Sequence, residues 1–117
     1  MSAKEKLEEI GSFKDNWNGY GAEAYSEMFI KFASDIIDML PVEPEVFPIA
    51  NGGIQLEIKV SLKREIEIEL KKDFTIDCTL YDGDEDIRNK VNVSRKDLPY
   101  MIGIWFSMKD AYEFPRM

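Results

Sequence analysis

Between Val46 and Tyr81 the chain alternates apolar and polar residues with a period of two, three times in succession. Ile54, Leu56, Ile58 and Val60 alternate with Gln55, Glu57 and Lys59. Ile66, Ile68 and Leu70 then alternate with Glu65, Glu67 and Glu69, and Ile76, Cys78 and Leu80 with Thr75, Asp77 and Thr79. Side chains of a strand point alternately to opposite faces, so this pattern demands antiparallel strands with one buried and one solvated face. The solvated face would carry Glu57, Glu65, Glu67, Glu69 and Asp77 against Lys59 alone. A wet, acidic sheet face is suited to meeting a partner and poorly suited to enclosing a substrate.

Helices are expected on either side of these strands. A first helix is predicted from Ala3 to about Phe13, with Leu7 and Ile10 on one face. Phe29, Phe32, Ala33, Ile36, Ile37 and Leu40 form the stripe of a second helix, with Ser26 as its N-cap and Pro41 and Pro44 as its stop. Val46–Ile49 reads as an edge strand, because Pro48 has no N–H to give to a central ladder. Asn51-Gly52-Gly53 suits a tight turn with positive φ angles. Asp82–Asp86 reads as an exposed loop. A last helix is expected to start between Ser94 and Leu98 and to run to about Tyr112. It would bury Leu98, Met101, Ile102, Trp105 and Tyr112, and Gly103 would permit close approach to the sheet. The expected fold is therefore a single α+β domain over residues 1–117. It has two N-terminal helices, a four-stranded antiparallel meander and a C-terminal helix packed on one sheet face. Charge pairing favours a register with Leu62 opposite Ile66, Lys59 opposite Glu69 and Glu57 near Lys71, which keeps Glu57 away from Glu67.

Composition then narrows the function. The net charge is −8, and residues 1–48 hold ten acidic and four basic side chains. Phosphate attraction needs a basic patch, so direct binding of nucleic acid is not expected. No apolar run approaches the roughly 18 residues of a membrane span, and no signal-peptide core is visible. Cys78 is the only cysteine, which suits a reducing cytoplasm. The chain has no histidine, which excludes Ser-His and Cys-His nucleophiles and histidine metal sites. Glycine fingerprints for nucleotides are also missing. Asp82, Asp84 and Asp86 open like a calcium loop, but Ile87 and Val93 stand where glycine and glutamate are required. Cys78 faces inward by alternation and reads as core. No catalytic residue, metal or cofactor is expected, and the chain reads as a non-enzyme.

The loop Asn16-Trp17-Asn18-Gly19-Tyr20-Gly21-Ala22 offers Trp17 and Tyr20 either as partner-binding anchors or as rings capping the core. Together with Pro48-Ile49-Ala50-Asn51-Gly52-Gly53-Ile54-Gln55-Leu56-Glu57, this loop resembles a group of small bacterial and phage-associated proteins. That group shares a W-[DN]-G-Y-G-A element, a helix and a P-x-x-x-G-G-[IV]-x-L-E hairpin. The resemblance covers about the first half of the chain. Asn18 and Ile58 replace the Asp and Trp commoner in the group. The resemblance implies no activity and no catalytic residues.

The acidic face has three readings: a solvated face kept charged against aggregation, a docking surface for a basic protein, and a carboxylate site for a metal or for hydrolysis. Carboxylates on alternate strand residues lie about 6.5–7 Å apart, comparable to phosphates along a nucleic-acid strand. The expected function is a non-enzymatic, acidic protein-interaction module. It would be an inhibitor or antitoxin-like protein that binds a basic, nucleic-acid-binding target through Glu57, Glu65, Glu67, Glu69 and Asp77, with Trp17 and Tyr20. The alternative is an assembly module that forms a homodimer through its apolar C-terminal helix, where Phe106, Met108 and Phe114 would be left for a second copy.

Overall fold

The computed structural model describes residues 1–83 and 85–107, in an α+β fold of three helices and a five-stranded open antiparallel sheet. Helix α1 spans Ala3–Gly11. The Ser2 hydroxyl accepts the Glu5 N–H at 3.1 Å while the Glu5 carboxylate accepts the Ser2 N–H at 2.8 Å, a reciprocal cap. The helix closes at Gly11 rather than near Phe13, because Ser12 turns its hydroxyl back onto the Glu9 carbonyl at 2.7 Å. Helix α2 spans Glu27–Met39 from the expected Ser26 cap, whose hydroxyl accepts the Phe29 N–H at 3.1 Å.

Strands β1 (Glu45–Pro48), β2 (Ile54–Lys59), β3 (Arg64–Leu70), β4 (Ile76–Asp82) and β5 (Glu85–Lys90) follow in simple meander order. The expected four-stranded sheet is thus one strand short. What reads as a loop from Asp82 is a hairpin in which Asp82 pairs with Glu85, and the Gly83 N–H is anchored at 2.6 Å on the Lys63 carbonyl. Alternation does not reveal β5 for two reasons. Only Ile87 of its residues is even half-buried. Its ladder also skips a residue: Leu80 faces Arg88 and Tyr81 faces Asp86, so Ile87 is an extra residue bulging between them.

Both outer strands are blunted against further pairing. β1 follows Pro44 and ends on Pro48, and β5 combines its bulge with four charged residues, Glu85, Asp86, Arg88 and Lys90.

The register of β2 on β3 corrects the charge-based expectation. Glu57 lies opposite Glu67, Lys59 opposite Glu65 and Gln55 opposite Glu69. The turn decides this. Val60 and Ser61 both donate to the Arg64 carbonyl, at 3.0 and 3.2 Å, and the Ser61 hydroxyl accepts the Arg64 N–H at 3.2 Å. Leu62 is left fully exposed instead of facing Ile66. Arg64 opens β3 on its inner face and is 6% exposed, with Nη2 3.2 Å from the Asp82 carboxylate. Burying each of Ile54, Leu56, Ile58, Ile66, Ile68 and Leu70 contributes about 1.5–3 kcal/mol. A like-charge pair on the surface costs less than one such side chain, so core packing and turn geometry outrank it.

Helix α3 spans Leu98–Ser107. Ser94 caps the turn before it, accepting the Asp97 N–H at 3.1 Å. Leu98, Ile102 and Trp105 are buried and Met101 and Phe106 half-buried against the core. Tyr112, Met108 and Phe114 lie outside the described residues. Gly103 does not approach the sheet as expected; among the described residues, a Cβ there would meet nothing within 4 Å. The three helices and the inner sheet face share one core cluster. The described helices leave the opposite sheet face bare, with its residues half-exposed.

Candidate functional site

The strand registers set the bare face out in rows. Glu45, Glu57, Glu67, Thr79 and Asn89 form one row across all five strands. Phe47, Gln55, Glu69 and Asp77 form a second, and Lys59, Glu65, Tyr81 and Asp86 a third. The pleat sets neighbours about 4.8 Å apart across strands and about 6.6 Å apart along them. The structure therefore brings together Glu57, Glu65, Glu67, Glu69 and Asp77, the five carboxylates expected from alternation.

The opposed Glu57 and Glu67 are held by an amide. Gln55 Nε2 donates to Glu57 Oε2 and to Glu67 Oε1, at 2.6 Å each. The Tyr81 hydroxyl adds a hydrogen bond to Glu67. Partial burial first, then the Glu57 charge, still pushes the Glu67 carboxyl above its usual range. Glu65 is raised for the same two reasons. Asp77 behaves differently. Burial works to raise it, but its ion pair with Lys71 at 2.6 Å and the Asn92 N–H at 3.0 Å outweigh that and hold it low. The face thus has a strained acidic centre and a compensated edge.

A carboxyl raised in the folded state penalises the fold above its folded pKa, and the penalty disappears once it is protonated. Glu67→Gln is therefore expected to raise the unfolding free energy at neutral pH by roughly 0.2–1 kcal/mol, the size of a cross-strand charge pair. The gain should vanish as pH falls below the ordinary carboxylate range. Urea unfolding of both proteins at several pH values checks this, and an unchanged or lowered midpoint at neutral pH refutes it.

Trp17 and Tyr20 are not on this face. They belong to the loop between α1 and α2, which is closed by its own hydrogen bonds. Asn16 N–H donates to the Ala22 carbonyl at 2.6 Å, the Asn16 side chain accepts the Gly21 N–H at 2.7 Å, and Asn18 accepts the Tyr20 N–H at 2.9 Å. Trp17 is half-buried, its ring 5.1 Å from Phe13 and 6.2 Å from Tyr25, and its Nε1 donates to the Glu23 carbonyl at 3.0 Å. Tyr20 stands out of the loop, 93% exposed. The two rings are separated in role: one is packed and the other presented.

Sequence reasoning counted Gln55 and Thr79 among the alternating polar residues without giving them a role, and it missed Glu45 and Tyr81 as members of the face. Parity was the available signal for Tyr81, which shares the alternation of Asp77 along β4, whereas Glu45 joins the face through its pairing with Glu57.

The chemistry of the face is that of a polar plane. A groove of about 520 Å³ exists elsewhere, between α1 and α2, floored by Leu7 and Ile30 and rimmed by Lys4 and Lys31. Both lysines are engaged, Lys4 with Asp38 at 2.8 Å and Lys31 with Asp35 at 3.1 Å. Among the described residues no three acidic or cysteine side chains are grouped to hold a metal ion. Of the calcium-loop candidates, Asp82 is paired with Arg64 and Asp84 lies outside the described residues. The Cys78 thiol is fully buried and pushed up to about 12, chiefly by that burial, so it stays protonated and inert at neutral pH. No helix among the described residues is long and apolar enough to cross a membrane. No family model, no curated protein and no solved structure matches the chain.

Proposed function

We propose that the protein is a non-enzymatic interaction module whose bare sheet face docks a basic surface of another protein, in the manner of an inhibitor or antitoxin of a nucleic-acid-binding target. The observation that carries this reading is the row Glu45–Glu57–Glu67, in which like charges are set directly opposite one another across three strands. A face needed only for solubility would be more stable with a lysine in that row. Carboxylates kept together at a cost to the fold are what a cationic partner would relieve, because its Lys and Arg side chains supply the missing counter-charge. Glu65, Glu69 and Asp77 extend the same field, while Phe47, 38% exposed, gives one end of the face an apolar contact.

The test uses Glu67→Gln together with Glu69→Gln in the full chain. Proteins captured from a bacterial lysate at low salt are identified, and their affinity for both chains is measured. A basic partner released by salt, bound at least tenfold more weakly by the double variant, is the expected result; that factor is about 1.4 kcal/mol, within the range of one close interfacial charge pair. Urea unfolding of the double variant separates such a loss from unfolding. Equal affinity of the two chains for every captured protein sinks the proposal.

A further inference from the structure

We infer that the outer face of α3 is the surface through which two copies of this chain associate. Leu98–Ser107 carries no carboxylate and no ammonium or guanidinium group. Its inner side buries Leu98, Ile102 and Trp105, yet Tyr100 is 76% and Ile104 45% exposed on the other. Tyr100, Gly103, Ile104 and Ser107 follow the i, i+3, i+4, i+7 spacing of one helix face. An apolar, uncharged stripe on a chain of net charge −8 is out of keeping with the surface around it.

The charge distribution selects the occupant. A basic partner has nothing to pair with on this helix and is drawn to the opposite side of the molecule, where the carboxylates lie. A second copy meets the opposite problem. In a two-fold dimer identical patches face each other, so acidic surfaces are opposed to themselves and repel. The bare sheet face is excluded on that ground. The strand edges are also closed, β1 by Pro44 and Pro48 and β5 by the bulge at Ile87. The α3 face is free of both obstacles. Gly103 sits within it, with no atom of the described residues within 4 Å of where a Cβ would stand, so a facing helix can come close to the backbone at that point. Tyr100 and Ile104 then flank the crossing and lose their exposed apolar surface to the partner copy.

This arrangement goes beyond the docking of a basic target and is compatible with it. Because α3 and the acidic rows lie on opposite faces of the sheet, a dimer joined through α3 turns two acidic faces outward. It could engage two sites on one target, with the gain in apparent affinity that linked binding brings.

Sedimentation equilibrium of the full chain over a range of concentrations, at low and high salt, tests the inference. A monomer–dimer equilibrium that persists or tightens at high salt is expected. Ile104→Glu should weaken it at least tenfold, while Leu62→Glu, which alters a fully exposed apolar residue in the β2–β3 turn, should leave it unchanged. Gly103→Cys gives a second, independent measure: on mild oxidation its dimer should become covalent, while the parent chain, whose only thiol is buried, should not. Circular dichroism establishes that each variant is folded. A chain that stays monomeric at every concentration overturns the inference and leaves this face to a different protein. A dimer unaffected by Ile104→Glu, or one dissolved by salt, places the interface elsewhere and overturns it equally.

Discussion

Replacing Gly53 by alanine is expected to destabilise the protein by about 2–3 kcal/mol, as a steric insertion into a packed interior does. An ideal Cβ at Gly53 would stand 2.7 Å from the Leu70 carbonyl oxygen. That oxygen cannot retreat cheaply, since Leu70 pairs with Ile54 on one side and with Ile76 on the other. The Gly53 carbonyl is equally committed. It accepts the Ile49 N–H at 3.1 Å and the Tyr25 hydroxyl at 2.7 Å, and so joins the β1–β2 turn to the start of α2. The neighbouring Gly52 supplies the contrast. Its φ of +95° asks for glycine, but the atom nearest its Cβ position is the mobile end of Lys72, at 2.9 Å. Gly52→Ala should therefore cost only the roughly 1–2 kcal/mol of left-handed backbone. Urea unfolding of the two variants gives the comparison. A Gly53→Ala midpoint as high as that of Gly52→Ala would show that the β1–β2 turn is free to shift, and that it does not hold β1 and Glu45 in line with the acidic rows.

Residues whose signals are strong and local were legible in the sequence. The α2 stripe, the Ser26 cap and the three alternating strands depend on each segment's own periodicity, and each lies where that periodicity puts it. The bare acidic face follows from the same alternation. Relations between segments were less legible. Charge pairing gave the wrong β2–β3 register, because the Ser61–Arg64 turn and the fit of six branched side chains decide it, and neither is visible in a count of charges. The fifth strand was hidden for a related reason: an edge strand exposed on both faces has no periodicity to read. Gly53 was expected to serve φ, whereas its requirement comes from the carbonyl of a residue in another strand. The candidate site divides in the same way. Its five carboxylates could be counted in advance, but the Gln55 bridge between Glu57 and Glu67 appears only once the register is known.

Phe74 offers the other large effect, and one whose sign runs against ordinary propensity. It occupies the left-handed region at φ +69°, in the turn where the Phe74 N–H closes on the Lys71 carbonyl at 2.8 Å. A bulky residue there sacrifices about 1–2 kcal/mol relative to glycine. The ring recovers it through edge-on contacts with Phe29 and Phe32, centroids 5.6 and 5.2 Å away, at the end of an aromatic row that runs back through Tyr25 and Trp17 to Phe13. Phe74→Ala keeps the strained backbone and loses the ring, so it should cost about 2 kcal/mol, scaled down from a fully buried phenylalanine because the side chain is half-exposed. Phe74→Gly loses the same ring but relieves the backbone, and should be more stable than the alanine variant by about 1 kcal/mol. Glycine would then outrank alanine within a strand-to-strand turn, in thermal or urea unfolding alike. If alanine is instead the more stable, the turn relaxes out of the left-handed region once the ring is gone, and packing of Phe74 on α2 is what imposes that conformation. Either order bears on the docking face, because Lys71 opens this turn directly after β3 and its 2.6 Å pair with Asp77 on β4 bounds the acidic rows.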